Sequence, residues 1–308
     1  MTEHRPLLHA IVIALLLIAS GRLPAFAGEE ARQVQTPLTV TDIAGREVTV
    51  NVPARRLLLG EGRQLYLVAS LAPEDPLSHI VAWRNDLIEA DPATYAQYLD
   101  VFPDLAKLPV FKGQEESLID IESAVIQKPD AVLLNLEAMR ANEDAKYVEK
   151  LAAFDIPVLY VDFRHQPLEN TEPTIRLLGK IMGREQRAEG IIAFRHKAMA
   201  QVTDVIAENK PEPPRVFIER IGGYSQDCCL SFGPENFGKY VELAGGHNIG
   251  SDLLPSTFGQ LNQQLAKWFH PELFADLDPD ATFAEYHRRF LPIDYRPGYA
   301  VSLSDDPS

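Results

Sequence analysis

At 308 residues, 46% of them hydrophobic, the chain is long enough for two domains with their own cores. Its formal charge of -15 excludes a nucleic-acid face, which would need a basic surface, and is read as a solubility charge.

The first 27 residues have a weakly basic start at His4 and Arg5, an apolar stretch from Leu7 to Ala19, and the small-x-small sequence Ala25-Phe26-Ala27. They read as a secretory signal cut before Gly28. About thirteen apolar residues fall short of the roughly 20 that cross a bilayer. Arg5 and Arg22 against Glu3 give the signal a charge of +1, so the mature chain carries -16. No cysteine stands at the cleavage site, so no lipid anchor is expected and the mature chain is expected in the periplasm.

Residues 28 to 36 read as a leader. From Leu38 to Val52 apolar and polar residues alternate around Ala44-Gly45, which predicts a hairpin. Short apolar runs follow at Arg56–Leu59, His79–Trp83, Pro109–Phe111, Ala131–Leu134 and Pro157–Val161, alternating with helical stretches. That alternation predicts a parallel sheet covered on both faces, an α/β lobe over roughly 36–165. A helix is predicted over 169–209, with Ile175, Leu178, Ile181 and Met182 on one face and Ile191, Ile192 and Phe194 beyond. At 1.5 Å per residue it would be about 55 Å long, enough to bridge two lobes. Past Pro211-Glu212-Pro213-Pro214, Arg215–Glu219 reads as the first strand of a second lobe, 213–308.

Four segments carry a resemblance. Val40–Val48 resembles the opening hairpin of the iron-siderophore and cobalamin type of periplasmic substrate-binding proteins of ABC importers, and Asp120–Asp130 is similar to their helix-then-strand signature. Leu177–Glu185 with Ala188 resembles their interlobe helix, and Ala244–Ile249 the loop after a second-lobe helix. The resemblance runs from about residue 38 to residue 303. It implies α/β architecture with two parallel-sheet lobes joined by one long helix, and little hinge motion. An iron chelate, ferric siderophore first, with haem or cobalamin as alternatives, would lie between the lobes of a monomer that docks on a permease in the inner membrane. It also implies a docking carboxylate on each lobe, the first at Glu122. Gln263 and Gln264 stand where the second is expected. Between Gly259–Asn262 and Leu265–Phe274, the latter similar to the family's C-terminal helix, about 70 residues of that pattern are missing. A naturally small second lobe, an internal deletion and a different alignment all remain open.

Ligands of open α/β sheets meet the loops at strand ends. The candidates are therefore Arg63, Arg84 and Arg164 for acidic oxygens, Trp83 and Tyr224 for a flat or apolar surface, and the adjacent Cys228 and Cys229 as cleft wall. In an oxidising compartment the two cysteines also allow a second reading, a redox or metal-handling protein, although they lack the spacer of thioredoxin-like pairs and the partners of a zinc site. The six histidines left after the signal are scattered without a His-x-x-x-His pair. No nucleophile motif, phosphate loop or full dinucleotide fingerprint is present, so neither an enzyme nor a cofactor is expected.

Overall fold

The computed structural model describes residues 34–111, 119–218, 232–252 and 271–295. The expected signal peptide, Tyr224, Cys228, Cys229, Gln263 and Gln264 lie outside the described residues.

The hairpin forms as its period requires. Strands β1 (Thr36–Thr41) and β2 (Glu47–Val52) pair antiparallel with Val40 opposite Val48. Val40 and Val50 turn inward while the Thr39 and Thr49 hydroxyls meet on the outer face. Gly45, at φ +77, makes the turn, which the Asp42 carboxylate closes by accepting from the Ala44 and Arg46 amides. Asp42 also accepts from the Tyr160 amide, and the Ile43 amide donates to the Tyr160 carbonyl, so the turn is stitched to the sheet's last strand.

That sheet holds β3 (Leu57–Leu59), β4 (Ile80–Arg84), β5 (Val110–Phe111), β6 (Ala131–Asn135) and β7 (Val158–Val161). All neighbours are parallel, in the order β5-β4-β3-β6-β7. Leu57, Leu59, Trp83, Leu133 and Leu159 enter one core; Leu58, Ala82, Val132, Leu134, Val158 and Tyr160 enter the other. Burial on both faces is why these strands read as unbroken apolar runs. From β3 the chain winds outward to β4 and β5, and from β6 it winds the other way to β7. The sheet's switch point therefore lies between β3 and β6.

The helix expected over 169–209 is two helices, α7 (Pro167–Met182) and α8 (Glu185–Asn209). Gly183, at φ +68, ends the first: the Arg184 amide donates to the Gly179 carbonyl and the Gly183 amide to that of Lys180. This is a Schellman closure, which a glycine adopts without Cβ strain, and the chain reverses after it. The two helices then pack antiparallel, joined by Arg176–Glu189 and Arg195–Glu172 ion pairs. Gly179 lets them close, since a Cβ there would stand 2.5 Å from that of Ala188.

Of these two helices it is α8 that bridges, at about 37 Å for 25 residues. Ala188, Ile191 and Ile192 belong to the first-lobe core, while Val202, with Val205 and Ile206 beside it, packs on Ala244 and Phe274. The second lobe carries the parallel pair β8 (Arg215–Val216) and β9 (His247–Asn248), with α9 (Phe237–Leu243) before β9. The Ala244-Gly245-Gly246 segment closes α9 with a second Schellman pair, Gly246 to Val241 and Gly245 to Glu242, at a Gly245 φ of +81. Buried Asn248 donates to the Phe232 and Gly233 carbonyls.

Of the segment Leu265–Phe274 expected as the C-terminal helix, 265–270 lie outside the described residues and 271–274 are turns; a helix, α10, runs Pro279–Phe290. Asp278 caps it through the Ala281 amide, with Pro279 in the first turn. Phe290 and Ile293 return to the first-lobe core.

Among the described residues the second lobe's buried cluster is Val202, Ala244 and Phe274, against the two large clusters that sandwich the first-lobe sheet. Amides of β6 and β7 are therefore expected to exchange with deuterium on the order of a hundredfold more slowly than those of α9 and β9. Equal protection in a peptide-level exchange measurement would contradict this.

Candidate ligand site

The loop Gly60-Glu61-Gly62-Arg63 leaves β3 at the switch point and passes between its neighbours at very short range. A Cβ on Gly60 would meet the Leu133 carbonyl at 2.5 Å, and one on Gly62 the Arg84 carbonyl at 2.3 Å. The Gly60 amide donates to the Leu133 carbonyl and the Gly62 amide to Asp86 Oδ1, at 2.6 Å. Gln64 Nε2 donates to Asn135 Oδ1 at the end of β6, fixing the loop from the other side.

Glu61 is 3% exposed at the centre of this arrangement. Its Oε1 lies 2.5 Å from Arg63 Nε and 2.9 Å from Arg164 Nη1. Its Oε2 is buried and has no hydrogen-bond partner among the described residues. Burial lifts the Glu61 carboxyl to about 7, against the pull of Arg63 and Arg164 and with the help of the Asp86 charge. Asp86, the first residue of α2 (Asp86–Ala90), reaches Arg63 Nε through Oδ2 at 3.2 Å.

Arg164 is held by the turn after β7. Buried Asp162 accepts from the amides of Arg164, His165 and Gln166 and from Asn170 Nδ2, all at 2.8 to 2.9 Å. The Thr174 hydroxyl locks Asp162's backbone from α7. The second lobe meets the first on this same turn: Asn236 Nδ2 donates to the Arg164 carbonyl at 2.5 Å, and Lys239 pairs with Glu169.

Of the residues expected from the sequence, Arg63 and Arg164 come together on one carboxylate. Arg84 borders them, 6% exposed, with Nη1 3.4 Å from the Gly60 carbonyl. Trp83 is not placed to cover a ligand. It is 1% exposed, with its ring 5.8 Å from that of Tyr95, because strand alternation turns position 83 to the Leu57 and Leu59 face. Glu122 is exposed in the first turn of α4 (Ile121–Ile126), capped by Asp120 through the Ser123 amide, a bond that holds the Asp120 carboxyl below its usual range. Glu61 lies in the Gly60–Arg63 loop that the sequence offers as a candidate but was given no role of its own, and Asp86 and Asp162 were not picked out from the sequence. The Gly-x-Gly frame around Glu61 and the Asp-Phe-Arg-His turn at 162–165 were the available signals.

A separate open concavity of about 270 Å³, lined by Leu71, Glu74 and Gly183–Arg187, is at the opposite end of the lobe, where α1 (Leu65–Leu71) ends and α7 turns into α8. Among the described residues no group of three or more His, Cys, Asp or Glu could hold a metal ion, and no helix is long and apolar enough to cross a membrane.

No family model matches the chain. The TroA-like periplasmic binding protein FepB of Veillonella parvula superposes with a TM-score of 0.74 at 22% identity, over 84% of this chain and 98% of that one. The molybdate periplasmic binding protein MolA of Haemophilus influenzae, bound to molybdate, superposes at 0.58 and 17% identity, over 85% and 100%. A cobalamin-binding protein of Halobacterium salinarum is 22% identical over 288 residues, 90% of this chain and 68% of its own. With its five-stranded parallel sheet, its bridging helix and its second lobe folded back on the Arg164 turn, the chain has the fold of the TroA-like periplasmic binding proteins.

Proposed function

We propose that this chain is the substrate-binding component of an ABC importer, a periplasmic binder and not an enzyme, that takes an iron chelate with acidic groups, a ferric siderophore first. The observation that carries the reading is the convergence of Arg63 and Arg164 on one buried carboxylate at the sheet's switch point, beside the contact between the lobes. Guanidinium pairs grip carboxylate and catecholate oxygens through charge-assisted bonds. The likeness to the Halobacterium relative supports cobalamin as a second reading. The match to 98% of the Veillonella chain supports a naturally small second lobe over an internal deletion, because that protein has few residues outside the match. Glu122 is proposed as the first-lobe contact with the permease, and the signal peptide at 1–27 as the route to the periplasm.

A ligand that binds only the folded chain stabilises it by about 2.7 kcal/mol at a hundredfold excess over its dissociation constant. Thermal melts with ferric enterobactin, ferric hydroxamates, haemin and cyanocobalamin are expected to shift for at least one iron chelate, and the shift to vanish in Arg164→Ala. No shift from any of them would sink the reading. A reversible thiol couple at Cys228 and Cys229 in place of ligand binding would favour the redox alternative.

A further inference from the structure

We propose that Glu61 is a built-in competitor for the ligand: its carboxylate pairs with Arg63 and Arg164 in the unliganded protein, and an acidic ligand reaching those guanidiniums drives one proton from solvent onto Glu61. Acidic ligands then bind with proton uptake, and neutral ones without it. This deepens the proposed function and rests on it.

The geometry is lopsided. Both arginines meet Oε1, while Oε2 is buried and has no partner among the described residues. A buried carboxylate oxygen without a donor is the costly half of the group. A proton there turns an orphaned acceptor into a donor that an incoming carboxylate or phenolate oxygen can accept. Among the described residues the charged groups facing Glu61 are Arg63 on its own loop, Arg164 after β7 and Asp86 at the start of α2. Asp162, in the turn behind Arg164, is occupied by four donors; Asn236, the second-lobe residue on that turn, is neutral; and Lys239 is paired with Glu169. Asp86 already disfavours a second negative charge at Glu61, and a ligand anion adds another. Burial places the carboxyl near 7 before any ligand arrives, so the proton is exchangeable in the neutral range.

The linkage has a definite sign. A group whose pKa rises on binding takes up a proton when the pH lies between its free and bound values, so affinity is constant below about 7 and falls above it. Isothermal titration with haemin and ferric enterobactin, in buffers of different ionisation enthalpy at about pH 8, is expected to show close to one proton taken up per ligand. Affinity should fall about tenfold per pH unit above about 7. Cyanocobalamin, if it binds, should show neither effect. Glu61→Gln, whose amide carries the donor without the charge, should bind the acidic probes with no proton uptake and a flat pH profile. Acidic probes that bind the native chain without proton uptake would overturn the proposal, as would an unchanged slope in Glu61→Gln. If none of these probes binds the native chain, the reading beneath it falls and the proposal falls with it. The native chain's proton count decides the matter even should the variant not fold.

Discussion

Asp162→Ala is expected to destabilise the protein by about 3–5 kcal/mol and to abolish ligand binding along with it. Four donors meet this one buried carboxylate, three of them backbone amides of the turn that carries Arg164. Removing the acceptor strands those amides, and buried unsatisfied donors cost on the order of 1–3 kcal/mol each where they cannot turn to water. The same turn accepts the Asn236 amide from the second lobe, so its loss also loosens the contact between the lobes. Urea titration of Asp162→Ala beside Asp162→Asn separates shape from hydrogen bonding, since asparagine keeps one acceptor oxygen and should recover part of the loss. A cost below about 1 kcal/mol, or ligand affinity unchanged at a temperature where the variant is folded, would show that the turn holds its shape without Asp162.

Glu122→Lys is expected to abolish transport in cells while leaving ligand affinity unchanged and the melting temperature only slightly lowered. The residue is exposed, and it belongs to the helix that crosses from β5 back to β6, whose first turn points to the strand ends where the site lies. If Glu122 meets a basic permease pocket as proposed, a charge reversal there removes an attraction and adds a repulsion of similar size, with nothing buried to disturb. A cation in the first turn of α4 opposes the helix dipole, which at an exposed position costs only about 0.3–1 kcal/mol. Uptake of a radiolabelled ferric chelate against affinity of the purified chain separates the two readouts. Loss of both would put Glu122 in the site, and loss of neither would leave it an ordinary solvated helix residue.

Much of the architecture was legible because it rests on local periods. The hairpin from Leu38 to Val52 follows alternation about a glycine turn. The five first-lobe strands follow apolar runs whose length and punctuation suit a sheet buried on both faces. The bridging helix was over-read. Its apolar spacing continues through Gly183, and one glycine among helix formers reads as a tolerated interruption until its positive φ and the Gly179–Ala188 approach show the chain turning back. The helix Pro279–Phe290 was not read from the sequence, although Asp278-Pro279 is its start signal.

The sequence by itself determined the layering, an α/β lobe followed by helix and second lobe, because burial on two faces dictates residue type along each strand. It also placed the arginines at strand ends, since polar residues after apolar runs fall in loops. Only the tertiary structure decided which of them share a partner. Arg63 and Arg164 are 101 positions apart and meet through Glu61 because β3 and β7 flank β6 in the sheet order. It likewise decided that Trp83 is core and Arg84, one residue on, borders the site, since strand alternation sends neighbours to opposite faces. The ionisation of Glu61 belongs to the tertiary level altogether: burial and three charges brought from the loops after β3, β4 and β7 set it, and no local pattern encodes their distances.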